Sequence, residues 1–310
     1  MQKKAASWTG GPLEAHCAVS VPCPLAVYAL PPAVDEAAAD GVCNSADALA
    51  PSLAAGSKLV WHVRHGQSTG NAARAAGVAG YARDEAYADT PLSELGERQA
   101  RDGAAAIAAQ WGAARPPTLI VCSPLTRAIQ TAALMFGGLL GSGAAVLVLR
   151  PEIREYWHDN VENRGRALAE LRRCPRLRRL PCWEAVVAPA LAAAAAAEWG
   201  AAWDGGQAAG GGGAWEAHCA SGERTEAFRQ WLAQQPAQRI AVVSHWGALN
   251  NLLNREPWAE RRRKRTVGAN WHPASWPDGR VAQLFSVPNC GWVCLEHSRA
   301  AAPATASPSQ

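Results

Sequence analysis

The chain reads as an α/β protein, a three-layer α/β/α arrangement in which a mainly parallel central sheet is flanked by helices. Two observations predict it. Leu59–Asn71, LVWHVRHGQSTGN, and Val242–Gly247, VVSHWG, each begin as an apolar run and end in a histidine followed by small or polar residues. Around them, apolar strand-like runs alternate with helical patterns, as they do where parallel strands are joined by helices. Strand ends that deliver polar groups just before a glycine turn also build the edge at which open α/β sheets bind ligands.

The elements follow in order along the chain. Leu59–Val63 is apolar enough for a buried strand, and Gly66 marks the turn after it. Ala72 to Asp89 then reads as a loop long enough to fold over the site. Ser93 offers an N-cap, with Glu94 and Glu97 well placed at the positive end of the helix it opens. Ala100, Ala104, Ile107 and Trp111 recur at spacings of four, three and four, which predicts one buried helical face. Thr118–Cys122 reads as a strand, and Ser123-Pro124 as an N-cap with proline at the first helical position. Ala144–Leu149 is a third strand, Glu223–Gln235 a helix and Arg239–Ser244 the strand before His245. Trp246 to Leu253 reads as a helix and Gly291–Glu296 as a last strand. Residues 188–214 hold an alanine run and a glycine run around Trp199 and Trp203. Alanine favours helix but buries little, and the glycines cannot sustain one, so this segment reads as an insertion with a flexible second half, a tolerated surface loop before a lid.

With 310 residues the chain can bury a sizeable core, and a catalytic domain is expected over 58–299. The formal net charge of +4 is too mild to imply a nucleic-acid partner. Lysine appears four times, at Lys3, Lys4, Lys58 and Lys264, so nearly all positive charge is arginine. The nine cysteines show no CxxC pairs and no zinc-finger spacing, which favours free thiols in a reducing compartment. Residues 1–57 are rich in alanine and proline and contain no arginine. Pro22, Pro24, Pro31 and Pro32 break the apolar stretch Ala18–Val34, so it cannot cross a membrane as a helix. Glu14, Asp35, Glu36, Asp40 and Asp47 argue against an organellar transit peptide. We therefore expect a disordered N-terminal extension, a similarly featureless tail over 300–310, and a cytoplasmic protein, with organelle and nucleus as lesser alternatives. Arg261–Arg265, RRRKR, is a basic run without the interleaved aromatics that stack on single strands, which argues against nucleic acid. Of the fourteen tryptophans, Trp61, Trp157, Trp246 and Trp271 are candidates to line a pocket.

Arg64 beside His65 at a strand end suits a phosphate, because the guanidinium fork grips two oxygens while an imidazole can attack phosphorus. Five blocks then recur in a fixed order. Arg64-His65-Gly66 is followed by Ser68, Thr69 and Asn71, and next comes Asp89-Thr90-Pro91-Leu92-Ser93-Glu94-Leu95-Gly96. Ser123-Pro124-Leu125-Thr126-Arg127-Ala128-Ile129-Gln130-Thr131-Ala132, Ile153-Arg154-Glu155 and Ser244-His245-Trp246-Gly247 complete the set. Together they resemble the histidine phosphatase superfamily, in its phosphoglycerate mutase-like branch 1, over roughly Lys58 to His297. A tripeptide such as RHG recurs by chance; five blocks in order are specific.

The resemblance implies a phosphoglycerate mutase-like fold and phosphoryl chemistry without a cofactor or metal. It points to His65 as the nucleophile that takes a phosphoryl group. Arg64 and Arg127 would hold the phosphate oxygens and offset charge in the transition state. His245 would be a second clamp, helped by free backbone N–H groups of the turn and helix after it. Asn71 and Gln67 would add neutral donors, and Trp246 would join the substrate-binding set. Glu155 resembles the acid that protonates the leaving oxygen and later takes a proton from water. Mutase members follow this glutamate with a His-Tyr-Gly pattern. Here the chain reads Tyr156-Trp157-His158-Asp159-Asn160-Val161-Glu162-Asn163-Arg164-Gly165-Arg166, which favours a hydrolase of small phosphorylated metabolites over a mutase. A non-catalytic binding module on the same fold is the alternative of another class, and the completeness of Arg64, His65, Arg127 and His245 argues against it. His158 and Arg164 read as solvated loop positions. No membrane partner is expected.

Overall fold

The computed structural model describes residues 27–28, 58–109, 111, 116–155, 160–197, 218–253, 274–275, 281–282, 289–290 and 292–297. Its centre is a sheet in which four neighbouring strands run parallel, as the alternation of elements predicted. These are β2 (Lys58–Arg64), β5 (Arg239–Ser244), β3 (Leu119–Cys122) and β4 (Val146–Leu149). Beyond β2 lies β8 (Trp292–His297), antiparallel to it, and then β1 (Val27–Tyr28), antiparallel to β8. The short β6 (Ala274–Ser275) and β7 (Val281–Ala282) pair with each other. Apart from β1, residues 1–57 lie outside the described residues, as do 300–310 and the Arg261–Arg265 run.

Alternate residues of each strand point to opposite faces, and here each face has its own core. Leu59, Trp61, Val63, Ile120, Cys122, Leu147, Ala241 and Val243 pack on one side. They meet α3 (Thr126–Met135), α5 (Leu168–Arg173), α6 (Pro175–Arg178) and α7 (Ala188–Ala196) through Ile129, Ala132, Leu168, Leu171, Leu177 and Leu191. Val60, Val121, Ile240 and Val242 pack on the other side, against Phe228 and Leu232 of α8 (His218–Gln234) and Leu249 and Leu252 of α9 (Trp246–Leu253). The strands read as unbroken apolar runs because both faces are covered. Two helical layers around one sheet make the three-layer architecture.

Several expected elements change shape. The stretch expected as a loop over Ala72–Asp89 begins inside α1 (Thr69–Ala75) and continues in 3-10 turns at Tyr81–Arg83 and Glu85–Tyr87. A capping box starts α1: Asn71 N–H donates to Ser68 Oγ at 3.0 Å and Ser68 N–H to Asn71 Oδ1 at 3.2 Å. Helix α2 (Glu94–Ala109) begins where Ser93 predicted, with Ser93 Oγ accepting from Gly96 N–H at 3.1 Å. Its buried face is Gly96, Ala100, Gly103 and Ile107, with Gly103 in the place expected of Ala104. A Cβ at Gly103 would stand 3.1 Å from Met135 Cε of α3, so the two helices approach closely there. The alanine run of 188–214 forms α7 and buries Ala190, Leu191 and Ala194, while the glycine run lies outside the described residues. Among the described residues no helix is long and apolar enough to cross a membrane.

Candidate functional site

The parallel register sets the site. Arg64 of β2 pairs with Ser244 of β5, so the next residue of each strand, His65 and His245, leaves the sheet side by side. His65 N–H donates to Ser244 O at 3.0 Å, extending the ladder past the strand end. The two rings stand 5.0 Å apart, tilted by 56°, and both histidines are buried. The turn after His65 must lie close to the start of α2. A Cβ on Gly66 would fall 2.6 Å from Gly96 O, which no side chain tolerates, so glycine is required at both ends of this contact. Gly66 N–H in turn donates to Thr131 Oγ1 of α3 at 3.0 Å.

His65 is held as a specific tautomer. Its Nδ1 lies 2.6 Å from Gly66 O, and a carbonyl can only accept, so Nδ1 carries the proton and Nε2 keeps its lone pair. That lone pair accepts from Arg127 Nε–H at 3.3 Å. Burial, followed by the Arg127 and Arg64 charges, holds the His65 imidazole well below the ordinary histidine range, so it is neutral at pH 7. His245 is depressed well below that range by the same causes, burial first. Its Nε2 meets Ser123 Oγ at 2.8 Å, while its Nδ1, buried, has no hydrogen-bond partner among the described residues.

Arg127, in the first turn of α3, is itself buried and aimed by acceptors. Its Nη1 donates to Glu162 O at 2.6 Å and its Nη2 to Asn163 Oδ1 at 2.8 Å. Burial lowers its pKa, opposed by the fields of Glu162, Asp89 and Glu155. Arg64 is pushed down to about 10 by burial, with Glu155 raising it and Arg74 and Arg127 lowering it. Both arginines remain cations at neutral pH. A buried Arg127 and a half-buried Arg64 beside two neutral imidazoles give a concentration of positive charge that calls for an anion.

Ser123-Pro124, expected from the sequence to cap α3, does not do so. The helix starts at Thr126, and its cap comes from Asp89, which accepts from Thr126 N–H at 2.9 Å and from Thr126 Oγ1 at 2.5 Å. Asp89 is buried and sits at φ 48, a left-handed conformation that aspartate tolerates better than most residues. Burial raises its pKa against those two hydrogen bonds. No local pattern announces this cap, because donor and acceptor are 37 residues apart in sequence.

Glu155 lies at the other side of the strand ends. Its Oε2 accepts from Gly247 N–H at 2.9 Å and its Oε1 from Ala248 N–H at 3.1 Å, both at the start of α9. The backbone donors expected to be free for a phosphate are therefore taken by this carboxylate, an anion at a positive helix end. The segment before it is tied down by two side chains the sequence reading missed. Arg224 of α8 donates through Nη1 to the carbonyls of Glu152 at 2.8 Å and Arg154 at 2.9 Å. Ser244 Oγ donates to Ile153 O at 2.6 Å. An arginine in a helix carries no sequence signal for such a role.

The remaining candidates are more peripheral. Gln67 Oε1 accepts from Ser93 Oγ at 2.8 Å, which joins it to the cap of α2. Asn71 uses Oδ1 in the capping box, so its NH2 end is the donor side. Trp246 is 38% exposed at the first position of α9, whereas Trp61 is buried in the core. Arg164 is paired with Glu85 rather than solvated alone. Tyr156–Asp159, including Trp157 and His158, and Trp271 lie outside the described residues. Among the described residues, no group of three His, Cys, Asp or Glu side chains is placed to hold a metal ion.

Residues 60–179 match the family model described as the histidine phosphatase superfamily, branch 1, so the resemblance read from the motifs is shown over that stretch. It contains Arg64, His65, Arg127 and Glu155 and ends before His245. No curated protein matches the chain. Among solved structures, the chain is similar to a mycobacterial glucosyl-3-phosphoglycerate phosphatase (21% identity, 77% of this chain and 90% of that one, TM-score 0.40). It is also similar to the alpha-ribazole phosphatase of Shigella flexneri (21% identity, 75% and 98%, TM-score 0.38). A third is the phosphoserine phosphatase of Entamoeba histolytica (16% identity, 76% and 89%, TM-score 0.39). Identities of this size leave the substrate to be argued from the chain's own residues.

Proposed function

We propose that this chain is a phosphomonoester hydrolase of small phosphorylated metabolites, acting through a phosphohistidine at His65 and without a metal cofactor. The observation that carries the reading is the state of His65: neutral, with Nδ1–H locked on Gly66 O and the Nε2 lone pair facing a buried arginine. In the first step Nε2 attacks phosphorus and the bond to the bridging oxygen breaks. Glu155 gives that oxygen its proton, and the alcohol leaves. In the second step Glu155 takes a proton from water, whose oxygen attacks phosphorus. The N–P bond breaks, inorganic phosphate is released and His65 is restored.

Arg64 and Arg127 stabilise the three phosphoryl oxygens through both steps, in a site where burial makes each charge count more than in water. Arg127 Nε–H, which now meets the nucleophile, passes to a phosphoryl oxygen as the N–P bond forms. His245 donates from Nδ1 when Ser123 Oγ–H donates to its Nε2. The two arginines take the place that divalent cations hold in many phosphoryl-transfer sites. The chain departs from the mutase pattern after Glu155, which favours hydrolysis over transfer between substrates. Cys122, Cys174, Cys182 and Cys290 are free thiols, in keeping with a reducing, cytoplasmic setting.

Turnover on a panel of phosphorylated metabolites tests the reading. Activity should survive a strong chelator and vanish in His65→Ala. Activity abolished by the chelator and restored by a divalent metal would overturn it.

A further inference from the structure

Among the described residues, the strongest concentration of like charge lies outside this site. Between Arg164 and Leu180 stand seven arginines and one glutamate, so this short segment holds a formal +6 in a chain whose net is +4. The rest of the chain is therefore net acidic. The segment forms α5 and α6, two short helices joined at Cys174-Pro175. Their apolar side is anchored in the core by Leu168, Leu171 and Leu177, which turns Arg172, Arg173, Arg176, Arg178 and Arg179 outward.

Four of these arginines do not simply face solvent. Arg166, Arg173, Arg176 and Arg179 line a cavity of about 640 Å³, with Asp89 and Thr126 among its other lining residues. Arg166 is held by Asp89, 3.7 Å away, and donates to Ala88 O. No carboxylate among the described residues forms an ion pair with Arg173, Arg176 or Arg179. Glu170 is the exposed acid in the lining, and Asp89 is committed to the cap of α3. Guanidinium groups gathered around one concavity repel each other unless an anion lies between them.

We propose that this groove binds a small polyanion bearing two or more phosphoryl groups, at a site separate from the His65 centre. The volume falls in the range of small-molecule sites. Arginine forks match phosphoryl oxygens in pairs, and several around one cavity favour a ligand with several such groups. Among the described residues the lining contains no Trp, Tyr or Phe on which a base could stack, which argues against a nucleic acid. Among the described residues the exposed large apolar ones, Val78, Leu95, Val146 and Trp246, all lie outside α5 and α6, so none of these supplies the apolar wedge that a membrane surface requires. The groove touches the catalytic machinery at one place, the Asp89–Thr126 cap that starts the helix carrying Arg127.

The test is calorimetric titration of the full chain with the hydrolysis-resistant tripolyphosphate analogue bis(phosphonomethyl)phosphinate at low salt. Arg173→Ala/Arg176→Ala removes two groove arginines. Arg172→Ala/Arg178→Ala removes the same charge from exposed positions outside the lining, and Arg64→Ala disables the catalytic centre. The groove pair should weaken one binding event by about tenfold or more, the scale of losing charge-assisted hydrogen bonds, and leave p-nitrophenyl phosphate turnover unchanged. That event should persist in Arg64→Ala and in the off-groove pair. Equal weakening by both arginine pairs would reduce the effect to general charge and overturn the proposal. So would loss in Arg64→Ala alone, which assigns all binding to the catalytic centre, or tighter binding of a short oligothymidylate with the same arginine dependence. The deciding readouts are binding measurements, so they stand whether or not the His65 mechanism does.

Discussion

The two halves of the candidate site are built by different means. His65 and His245 are delivered by regular structure: adjacent parallel strands in register, continued by one more backbone hydrogen bond past the sheet. Glu155 and the Glu162–Asn163 turn that aims Arg127 lie in 3-10 turns and extended segments that no ladder supports. They are held instead by side chains from elsewhere, Arg224 and Ser244 on the first and Arg127 itself on the second. The proposed nucleophile is thus fixed by the backbone, and the segment that carries the proposed acid–base group by tethers. Perturbing the strand ends should change protonation and the attack on phosphorus, and perturbing the Arg224 tether should change proton transfer alone.

Beside the loss of all activity in His65→Ala, the largest effect should come from Glu155→Gln, which keeps the shape and removes the proton chemistry. Turnover on an alkyl phosphate should fall by roughly two to four orders of magnitude, the range of general acid–base catalysis. With p-nitrophenyl phosphate, whose leaving group needs no proton, the burst of a single-turnover experiment should be nearly preserved. Equal losses in both bursts would remove Glu155 from the role of acid.

The strand ends carry a pH signature of their own. His65 and His245 are held neutral in the folded protein, with pKa values well below the ordinary value of 6.5. Between that value and the folded values the unfolded chain binds more protons, so stability rises with pH and is lost as pH falls. From pH 7.5 to 5.5 the two groups together should lower the unfolding free energy by about 3 kcal/mol. Asp89, whose folded pKa is raised, acts in the opposite sense: its contribution declines as pH rises through the window that starts at its unfolded value of 3.8. Urea unfolding at the two pH values measures the net change, and His65→Asn should remove about half of the histidine part. A flat profile would mean that the imidazoles are not held neutral.

Two smaller effects separate the tethers from the cap. Arg224→Ala should lower turnover on alkyl phosphates by about tenfold to a hundredfold, the cost of a misplaced catalytic group, with a much smaller loss in the p-nitrophenyl phosphate burst. A loss equal on both substrates would make Arg224 a merely structural residue. Asp89→Ala removes the cap of α3 and leaves Thr126 unpaired. It should lower stability by about 1 to 2 kcal/mol in urea unfolding.

The same division explains what the sequence makes legible. β2, β5 and α9 are read directly, because a doubly buried strand is a run of apolar residues and the site histidines follow such runs immediately. The family blocks likewise carry Arg64, His65, Arg127, Glu155 and His245 into the reading by position. The cap of α3 is misread as Ser123-Pro124 because the acceptor that caps it, Asp89, comes from a distant segment. The buried face of α2 shifts to Gly103 because Met135 presses on it, a contact no periodicity contains. Arg224 and Asn163 are invisible for a similar reason: each works through carbonyls or a guanidinium that only the folded chain brings near. Ladder-built geometry leaves a local pattern, and tether-built geometry does not.

The central claim is that a phosphoryl group passes through His65. Rapid acid-free quenching of the full chain with 32P-labelled p-nitrophenyl phosphate, followed by peptide mapping, measures it most directly. The account predicts an acid-labile, alkali-stable phosphate on the peptide containing His65, abundant in Glu155→Gln and absent in His65→Ala. Label on another residue, or full turnover in His65→Ala, would contradict it.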